Sequence, residues 1–312
     1  MKKRLTALLA AAVMCLLCGC AAPAGVKEDG QLKIVATIWP VYEWTRAILG
    51  DNPAGAEVTL LIDSGVDPHS FQPAVADIME LYTCDLLLYT GGASEEWVDK
   101  ALQGETDLVP LSLMDTLGDA LCVEEHDHDH DHDHDHDHEE EYDEHIWLSL
   151  KIAQTLCQTI AEELSHLDPA NAESYQANAE SYIKALSALD AQYAETVAAS
   201  SQKTLLFADR FPFLYLTEDY GLTHYEAFPG CSAETEASFA TITFLAGKVD
   251  ELGLPAVLTI DGSGGSIART VVENSGGAEI LTLNSMQSKL EEGDTYLSIM
   301  EENLEVLKEA LK

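Results

Sequence analysis

The chain has 312 residues, a length that suits one large domain or two of ordinary size. Hydrophobic residues make up 46% and charged residues 23%, a globular composition that excludes collagen, coiled-coil fibres and wholesale disorder. The 55 Asp and Glu outweigh 16 Lys and Arg, giving a formal net charge of -39 at pH 7. This charge excludes binding to nucleic acid or anionic lipid through a basic surface and favours a cationic partner, of which a metal ion is the simplest.

The first nineteen residues have the pattern of an export signal. Basic residues at 2–4 precede an apolar run over 5–17, which is too short for a membrane span of about 20 residues. The run ends in Leu17-Cys18-Gly19-Cys20, which resembles a bacterial lipobox and implies cleavage before Cys20 and lipid on its sulfur. An ordinary secretory signal cleaved a few residues later is the alternative. We expect a mature protein that is anchored by lipid to the outer face of the bacterial cell membrane.

Four cysteines remain beyond the signal and the anchor: Cys84, Cys122, Cys157 and Cys231. None has C-x-x-C spacing, so neither a zinc knuckle nor a redox motif is predicted. Cys84 and Cys157 lie among apolar residues and are expected to be buried thiols. A disulfide is permitted outside the cytoplasm, but the spacing assigns none.

After a short tether at 20–31, strand-like and helix-like segments alternate in two similar halves. The predicted strands are 32–38, 57–62, 85–90 and 108–111 in the first half, and 203–208, 255–260 and 279–283 in the second. The predicted helices are 41–49, 74–83 and 95–102, then 212–220, 236–252, 266–275 and 295–311. This alternation predicts an α/β fold with parallel sheets and helices on both faces.

A long helical pattern lies between the halves. Asp168 suits a helix cap and Pro169 the first turn, and apolar positions then recur at alternating spacings of four and three. Because no Gly or Pro occurs from 170 to 200, we predict a rod of about 45 Å that joins two lobes stiffly. A helix within a single bundle is the alternative. The predicted division is a first lobe at 32–167, a linking helix at 168–200 and a second lobe at 201–312.

A His- and Asp-rich loop at 124–141 interrupts the first half. Seven His alternate there with six Asp, and almost no residue is apolar. Imidazole near neutral pH is a good ligand for zinc, copper and nickel, so this solvated segment offers many weak, exchangeable sites. A merely solubilising run is the alternative, but such a run does not need His at every second place. The predicted auxiliary ligands are His126, His128, His130, His132, His134, His136 and His138.

Two further histidines lie in more specific motifs. His69 lies in Val66-Asp67-Pro68-His69-Ser70-Phe71-Gln72-Pro73, just after a predicted strand, where open α/β sheets bind ligands. His145 lies in Asp143-Glu144-His145-Ile146-Trp147-Leu148-Ser149, which follows the His-rich loop and opens a helix. Together with that loop, the two motifs resemble the metal-binding receptors of bacterial zinc and manganese ABC importers. These are the cluster A-I substrate-binding proteins, and the resemblance, to the zinc-receptor kind, covers nearly the whole mature chain.

The resemblance implies two (β/α) lobes joined by one long rigid helix, with a metal ion in the cleft between them. It makes His69 and His145 the ligands from the first lobe. It also implies a monomeric receptor, not an enzyme, that delivers Zn²⁺ to a membrane permease driven by a separate ATPase.

The second lobe departs from the family pattern. Arg210 stands where the family usually has a His or Glu, and a guanidinium cannot coordinate a metal. Its neighbour Asp209 is a candidate oxygen ligand, or else pairs with Arg210 in the cleft wall. The family's final carboxylate falls at about Asn284, whose amide oxygen is a weaker ligand. The other oxygen candidates are Asp261, at a predicted strand end, and Glu234 and Glu236, in a cleft-side loop.

The types of the candidate ligands indicate which metal ion the site would prefer. Two imidazoles with one or two oxygens suit tetrahedral Zn²⁺, whereas more oxygens would suit Mn²⁺, and the His-rich loop favours zinc. A manganese or iron receptor of the same fold is therefore one rival. A surface metal store or adhesin that acts through the loop is a second. A metallohydrolase is a third, although no H-E-x-x-H motif is present.

Overall fold

The computed structural model describes residues 31–63, 65–104, 107–124, 142–230 and 236–312. The predicted signal, Cys20, the seven loop histidines, Cys231 and Glu234 lie outside these ranges. Within them, no helix combines the length and the apolar character that a membrane span requires. Cys84 and Cys157 are buried, as predicted, and Cys122 is half-buried.

The first lobe is built on a parallel four-stranded sheet in the order β2-β1-β3-β4. Its strands are β1 (Lys33–Ala36), β2 (Glu57–Leu60), β3 (Leu86–Tyr89) and β4 (Val109–Ser112), and its helices are α1 (Trp39–Leu49), α2 (Val75–Thr83) and α3 (Glu96–Ala101). All four residues of β3 are buried, as expected for a parallel strand that is covered on both faces.

Two long helices follow, α4 (Leu150–Leu167) and α5 (Ala172–Ala199). The hydroxyl of Ser149 begins α4 by accepting a hydrogen bond from the Ile152 amide. The 28 residues of α5 make a rod of about 42 Å that lies inside the predicted linking segment. Asp168 does not cap this helix, because it ends α4 and its carboxylate instead accepts hydrogen bonds from the Asn171 side chain and the Tyr175 hydroxyl.

The second lobe repeats the first, with a parallel sheet in the order β6-β5-β7-β8. Its strands are β5 (Thr204–Phe211), β6 (Thr223–Pro229), β7 (Ala256–Ile260) and β8 (Glu279–Leu283), and its helices are α6 (Leu214–Tyr220), α7 (Phe239–Leu252), α8 (Ser266–Glu273) and α9 (Tyr296–Ala310). The two sheets and the long helix confirm the predicted α/β class. Strand β6 was missed because it lies at the edge of the sheet and has no continuous apolar run.

One hydrophobic core runs through both lobes. It includes buried side chains of both sheets and of α1, α4, α5 and α9. The Tyr296 ring of α9 packs edge-on against Trp44 of the first lobe, and the Tyr296 hydroxyl donates a hydrogen bond to the Trp147 carbonyl. The lobes are therefore joined by shared packing as well as by α5.

Candidate metal centre

His69 lies in a short turn of 3-10 helix, Pro68–Ser70, after the carboxyl end of β2. The Asp67 carboxylate begins this turn by accepting a hydrogen bond from the His69 amide at 3.1 Å, and Pro68 supplies the first position. The ring Nδ1 lies 2.7 Å from the Ser94 hydroxyl. This contact fixes the ring and directs the other nitrogen, Nε2, into the cleft.

His145 is fully buried at the start of the turn that leads into α4. The Asp143 carboxylate accepts a hydrogen bond from the His145 amide at 2.8 Å, and its two oxygens lie 3.2 and 3.3 Å from the ring Nδ1. A carboxylate at Nδ1 favours the tautomer with the proton on that nitrogen. The lone pair of Nε2 is then left for a metal ion.

The two imidazoles converge with a third side chain, Gln287, which lies in the loop after β8. The Nε2 atoms of His69 and His145 are 3.1 Å apart, and the Gln287 side-chain amide lies 3.2 Å from each of them. Rotation of the Gln287 amide about its terminal bond exchanges its nitrogen and oxygen and brings an acceptor to the same point. Tetrahedral zinc ligands at 2.0–2.1 Å are separated by about 3.3 Å, so this triangle fits the ion.

Burial keeps the His69 ring unprotonated, which is the state that can bind a cation. Removal from water is the main reason that the pKa of its ring falls to about 4; the charges of His145 and Arg210 also lower it, whereas Asp67 and Asp143 act in the opposite direction. The ring is therefore neutral at pH 7. A metal ion that arrives there displaces no proton from Nε2.

Arg210 and Asp209 lie at an irregularity in β5. Between Phe207 and Arg210, two residues of β5 oppose one residue of β6, a bulge of the kind that redirects side chains beside binding sites. The Arg210 guanidinium reaches across the cleft and donates a hydrogen bond to the Asp67 carboxylate at 2.8 Å. Although burial raises the pKa of Asp67, this bond and the charge of Arg210 hold it below its usual value.

Asp209 does not join the two imidazoles. Its Oδ1 accepts a hydrogen bond from the Arg210 amide, and its Oδ2 is buried with no hydrogen-bond partner among the residues described. Across the ranges that the structure covers, no three or more His, Cys, Asp or Glu side chains are close enough to hold a metal. The ion pair expected between Asp209 and Arg210 is replaced by one between Arg210 and Asp67.

The other predicted oxygen ligands that the structure describes do not join the two imidazoles either. Both carboxylate oxygens of Asp261 accept hydrogen bonds from the loop after β8. The side-chain oxygen of Asn284 accepts one from the Met286 amide at 2.8 Å. Glu236 is exposed just before α7. Of the predicted ligands that lie within the described residues, the structure therefore brings together only His69 and His145.

Sequence reasoning missed Gln287. The resemblance to the family placed its final carboxylate at about Asn284, so no donor was predicted beyond that residue. The rule that ligands follow the carboxyl ends of parallel strands applies to the whole loop, and Gln287 is four residues beyond Leu283. Applied to the whole loop, this rule includes Gln287 as a candidate ligand.

Two open cavities lie beside residues of the candidate centre: Asp143, which contacts the His145 ring, lines one, and Gln287 lines the other. One, of about 900 Å³, is lined by Asp143 and by the acidic side chains of Glu124, Glu218 and Glu226. The other, of about 740 Å³, is lined by Gln287, Arg210 and Asp209 among others. Carboxylates along such openings raise the local concentration of cations.

Comparison with known proteins gives consistent results. A family model described as the periplasmic component A of the zinc-uptake complex, ZnuA, matches residues 34–310. The zinc-binding lipoprotein AdcA of Streptococcus pneumoniae is 33% identical over 98% of this chain and 61% of its own length. The high-affinity zinc uptake system protein ZnuA of Bacillus subtilis is 33% identical over 91% of this chain and 89% of its own length. The chain thus spans about three-fifths of the AdcA relatives.

Solved structures share the fold. The Zn(II)-bound ZnuA-like domain of Streptococcus pneumoniae AdcA has a TM-score of 0.73 and 30% identity, covering 90% of this chain and 99% of that domain. The laminin-binding protein Lmb of Streptococcus agalactiae, described as having adhesin and metal-transporting activity, has a TM-score of 0.75 and 26% identity. That alignment covers 90% of this chain and all of Lmb.

Proposed function

The chain belongs to the ZnuA family of zinc-uptake components, and on this basis we propose that it is an extracytoplasmic zinc receptor that delivers Zn²⁺ to an ABC importer. The observation that carries the proposal is the triangle formed by His69, His145 and Gln287, with edges of 3.1 to 3.2 Å. The imidazoles would bind through Nε2 and the amide through its oxygen.

This donor set favours zinc over manganese. The two nitrogen donors are imidazoles, and the described residues add one amide oxygen, whereas manganese prefers a larger set of oxygens. Three protein donors leave a fourth tetrahedral position for water or for a group supplied from elsewhere. The protein's task is to bind and release the ion, and no catalytic step is required.

The proposal includes a membrane setting. The lipobox-like sequence at Cys20 supports a lipid anchor, and the name lipoprotein belongs to the AdcA relative. The partners would be a permease and its ATPase, and the receptor would act as a monomer. The seven histidines from His126 to His138 would collect ions as a supply to the site and not as the site itself.

A zinc titration against a competing chelator tests the proposal. The chain is used without residues 1–20, both intact and with residues 125–141 replaced by a short Gly linker. Such a linker is feasible because Val123 and Tyr142 form an antiparallel bridge that brings the ends of the segment together. We expect one tight site that survives the replacement, above several weak sites that are lost.

Point variants locate the tight site. His69→Ala should lower its affinity by about 100-fold or more, since a ligand has a larger effect than the outer residues that orient it. His166→Ala, at an exposed position of α4, is the matched control and should leave the affinity unchanged. Loss of all tight binding on replacement of 125–141 would show instead that the His-rich segment is the metal store.

A further inference from the structure

Asp261 lies at the carboxyl end of β7 and holds the neighbouring loop at 284–288, which we call the Gln287 loop. Its Oδ1 accepts hydrogen bonds from the Ser285 amide at 2.5 Å and the Ser285 hydroxyl at 2.7 Å. Its Oδ2 accepts from the Ser288 amide at 3.2 Å and the Ser288 hydroxyl at 2.5 Å. The Asp261 carboxylate thus binds both Ser285 and Ser288, which lie on either side of Gln287 in the loop.

The rest of the Gln287 loop is also fixed. Met286 has a φ of 63°, a left-handed conformation that costs free energy for a residue with a side chain. Its amide donates to the side chain of Asn284, and the backbone of Asn284 is held at both its amide and its carbonyl by Asn303. From the first lobe, the Trp147 indole donates to the Ser285 carbonyl at 2.9 Å. The strained backbone persists because these bonds over-determine it.

Gln287 is the donor that most needs such support. An amide oxygen carries no net charge and is a weaker ligand than a carboxylate, so its contribution depends on being in place before the ion arrives. An unrestrained glutamine side chain and loop would lose conformational entropy on binding, and prior fixing of the backbone removes part of that cost. Among the residues described, no hydrogen bond joins Asp261 to His69 or His145, and the four hydrogen bonds that its carboxylate accepts all come from the Gln287 loop.

We propose that Asp261 is a positioning residue, which sets the zinc affinity of the centre by holding Gln287 against the two imidazoles. This inference rests on the proposed function. It gives Asp261 a different role from that of a ligand, because both of its oxygens are already used. Outer residues that orient metal ligands typically contribute 10- to 100-fold in affinity.

A double-mutant cycle on the chain with residues 125–141 replaced tests the inference. The variants are Asp261→Asn, Gln287→Ala and the two together, and the measurement is zinc affinity by chelator competition. Each single change should lower the affinity by about 10- to 100-fold. The double variant should match Gln287→Ala alone, because Asp261 has no effect once the side chain it positions is gone.

Other results would overturn the inference. If the fold-losses of zinc affinity in the two single variants multiply in the double variant, Asp261 acts independently of Gln287, through its charge or through general stability. The inference would also be contradicted if neither single change altered the zinc affinity. In that case, tight zinc binding by the wild type would still support the receptor function. Absence of a tight site in the wild type would instead reject the proposed function itself.

A second pair of variants tests the inference even if the Asp261→Asn protein does not fold. Ser288→Ala removes one of the four donors to Asp261 and should weaken zinc binding, and Ser288→Thr, which keeps the hydroxyl, should restore it. Asp115→Asn removes the same charge from an exposed position and should have no effect. Equal affinity of Ser288→Ala and the wild type would contradict the positioning role.

Discussion

In the proposed centre, Gln287 carries no charge and burial keeps the His69 ring neutral at pH 7, so geometry, and not attraction between opposite charges, would prepare these two donors for a cation. Burial holds the pKa of His69 at about 4, and Asp143 orients His145 through its Nδ1. The cationic side chain of Arg210, whose charge helps to lower the pKa of His69, is paired with Asp67. The pairing keeps the guanidinium directed at a carboxylate of the first lobe.

The depressed pKa of His69 predicts a pH dependence of stability in the metal-free protein. The unfolded chain takes up a proton near the ordinary value of 6.5, whereas the folded chain resists until about pH 4. The folded state therefore loses stability as the pH falls from 6.5 to 4, by up to about 3 kcal/mol. Denaturant unfolding in the presence of a chelator should show that His69→Gln loses less stability over this range than the wild type.

The matched control is His166→Gln, whose ring is largely exposed, and it should follow the wild-type curve. Parallel pH profiles for the wild type and His69→Gln would show that the ring is not held neutral by burial.

The residues of the centre were only partly predictable. His69 and His145, whose Nε2 atoms the structure brings to 3.1 Å, could be predicted because each lies in a motif of several residues beside a strand end or helix start. Gln287 was not predicted, because it lies beside the imidazoles only in the folded loop that Asp261 and Asn303 bind. Those contacts join separate strands and a distant helix, and no local pattern records them.

Among the elements, α5 has the clearest structural role. Tyr175, Ala179, Leu186, Leu189 and Tyr193 are buried along one side of it, at the predicted spacing. The hydroxyl of Tyr193 also donates to the Met300 carbonyl of α9 at 2.6 Å. The helix is therefore packed along its length and is not a free-standing connector.

Leu186→Ala should lower the free energy of unfolding by about 2–5 kcal/mol, because it leaves a cavity at a fully buried position in the middle of α5. Ser187→Ala, at the adjacent exposed position, should change it by less than about 0.5 kcal/mol. Chemical denaturation measures both. Equal effects of the two changes would mean that α5 is not part of the core.

Strand and helix positions followed from the sequence where the pattern was strong. The central strands are continuous apolar runs, and each was predicted within a few residues. The extension of β5 to Phe211 and its bulge were not predicted, since they depend on pairing with the unpredicted edge strand β6. That bulge places Arg210 against Asp67, which explains why the pairing across the lobes was also missed.

At the scale of the whole molecule, the shared core limits how far the lobes can separate. Opening a wide hinge would expose apolar side chains that α1, α4, α5 and α9 now bury together. Release of the ion should therefore come from local change in the Pro68–Ser70 turn or the Gln287 loop.

Small-angle scattering checks this directly. For a compact chain of this size the radius of gyration is about 19 Å, and removal of zinc by a chelator should change it by less than about 1 Å. Hydrogen exchange should speed up in the Gln287 loop but not along α5. A large expansion on metal loss, with faster exchange throughout α5, would contradict local release.

The most direct test of the receptor is anomalous X-ray scattering at the zinc absorption edge, from crystals grown with about one equivalent of Zn²⁺. A single strong peak is expected about 2.0–2.1 Å from the Nε2 atoms of His69 and His145, on the side that Gln287 faces. A peak at that point would establish the centre. Zinc bound only elsewhere, with none between the two imidazoles, would show that the cleft does not hold the metal.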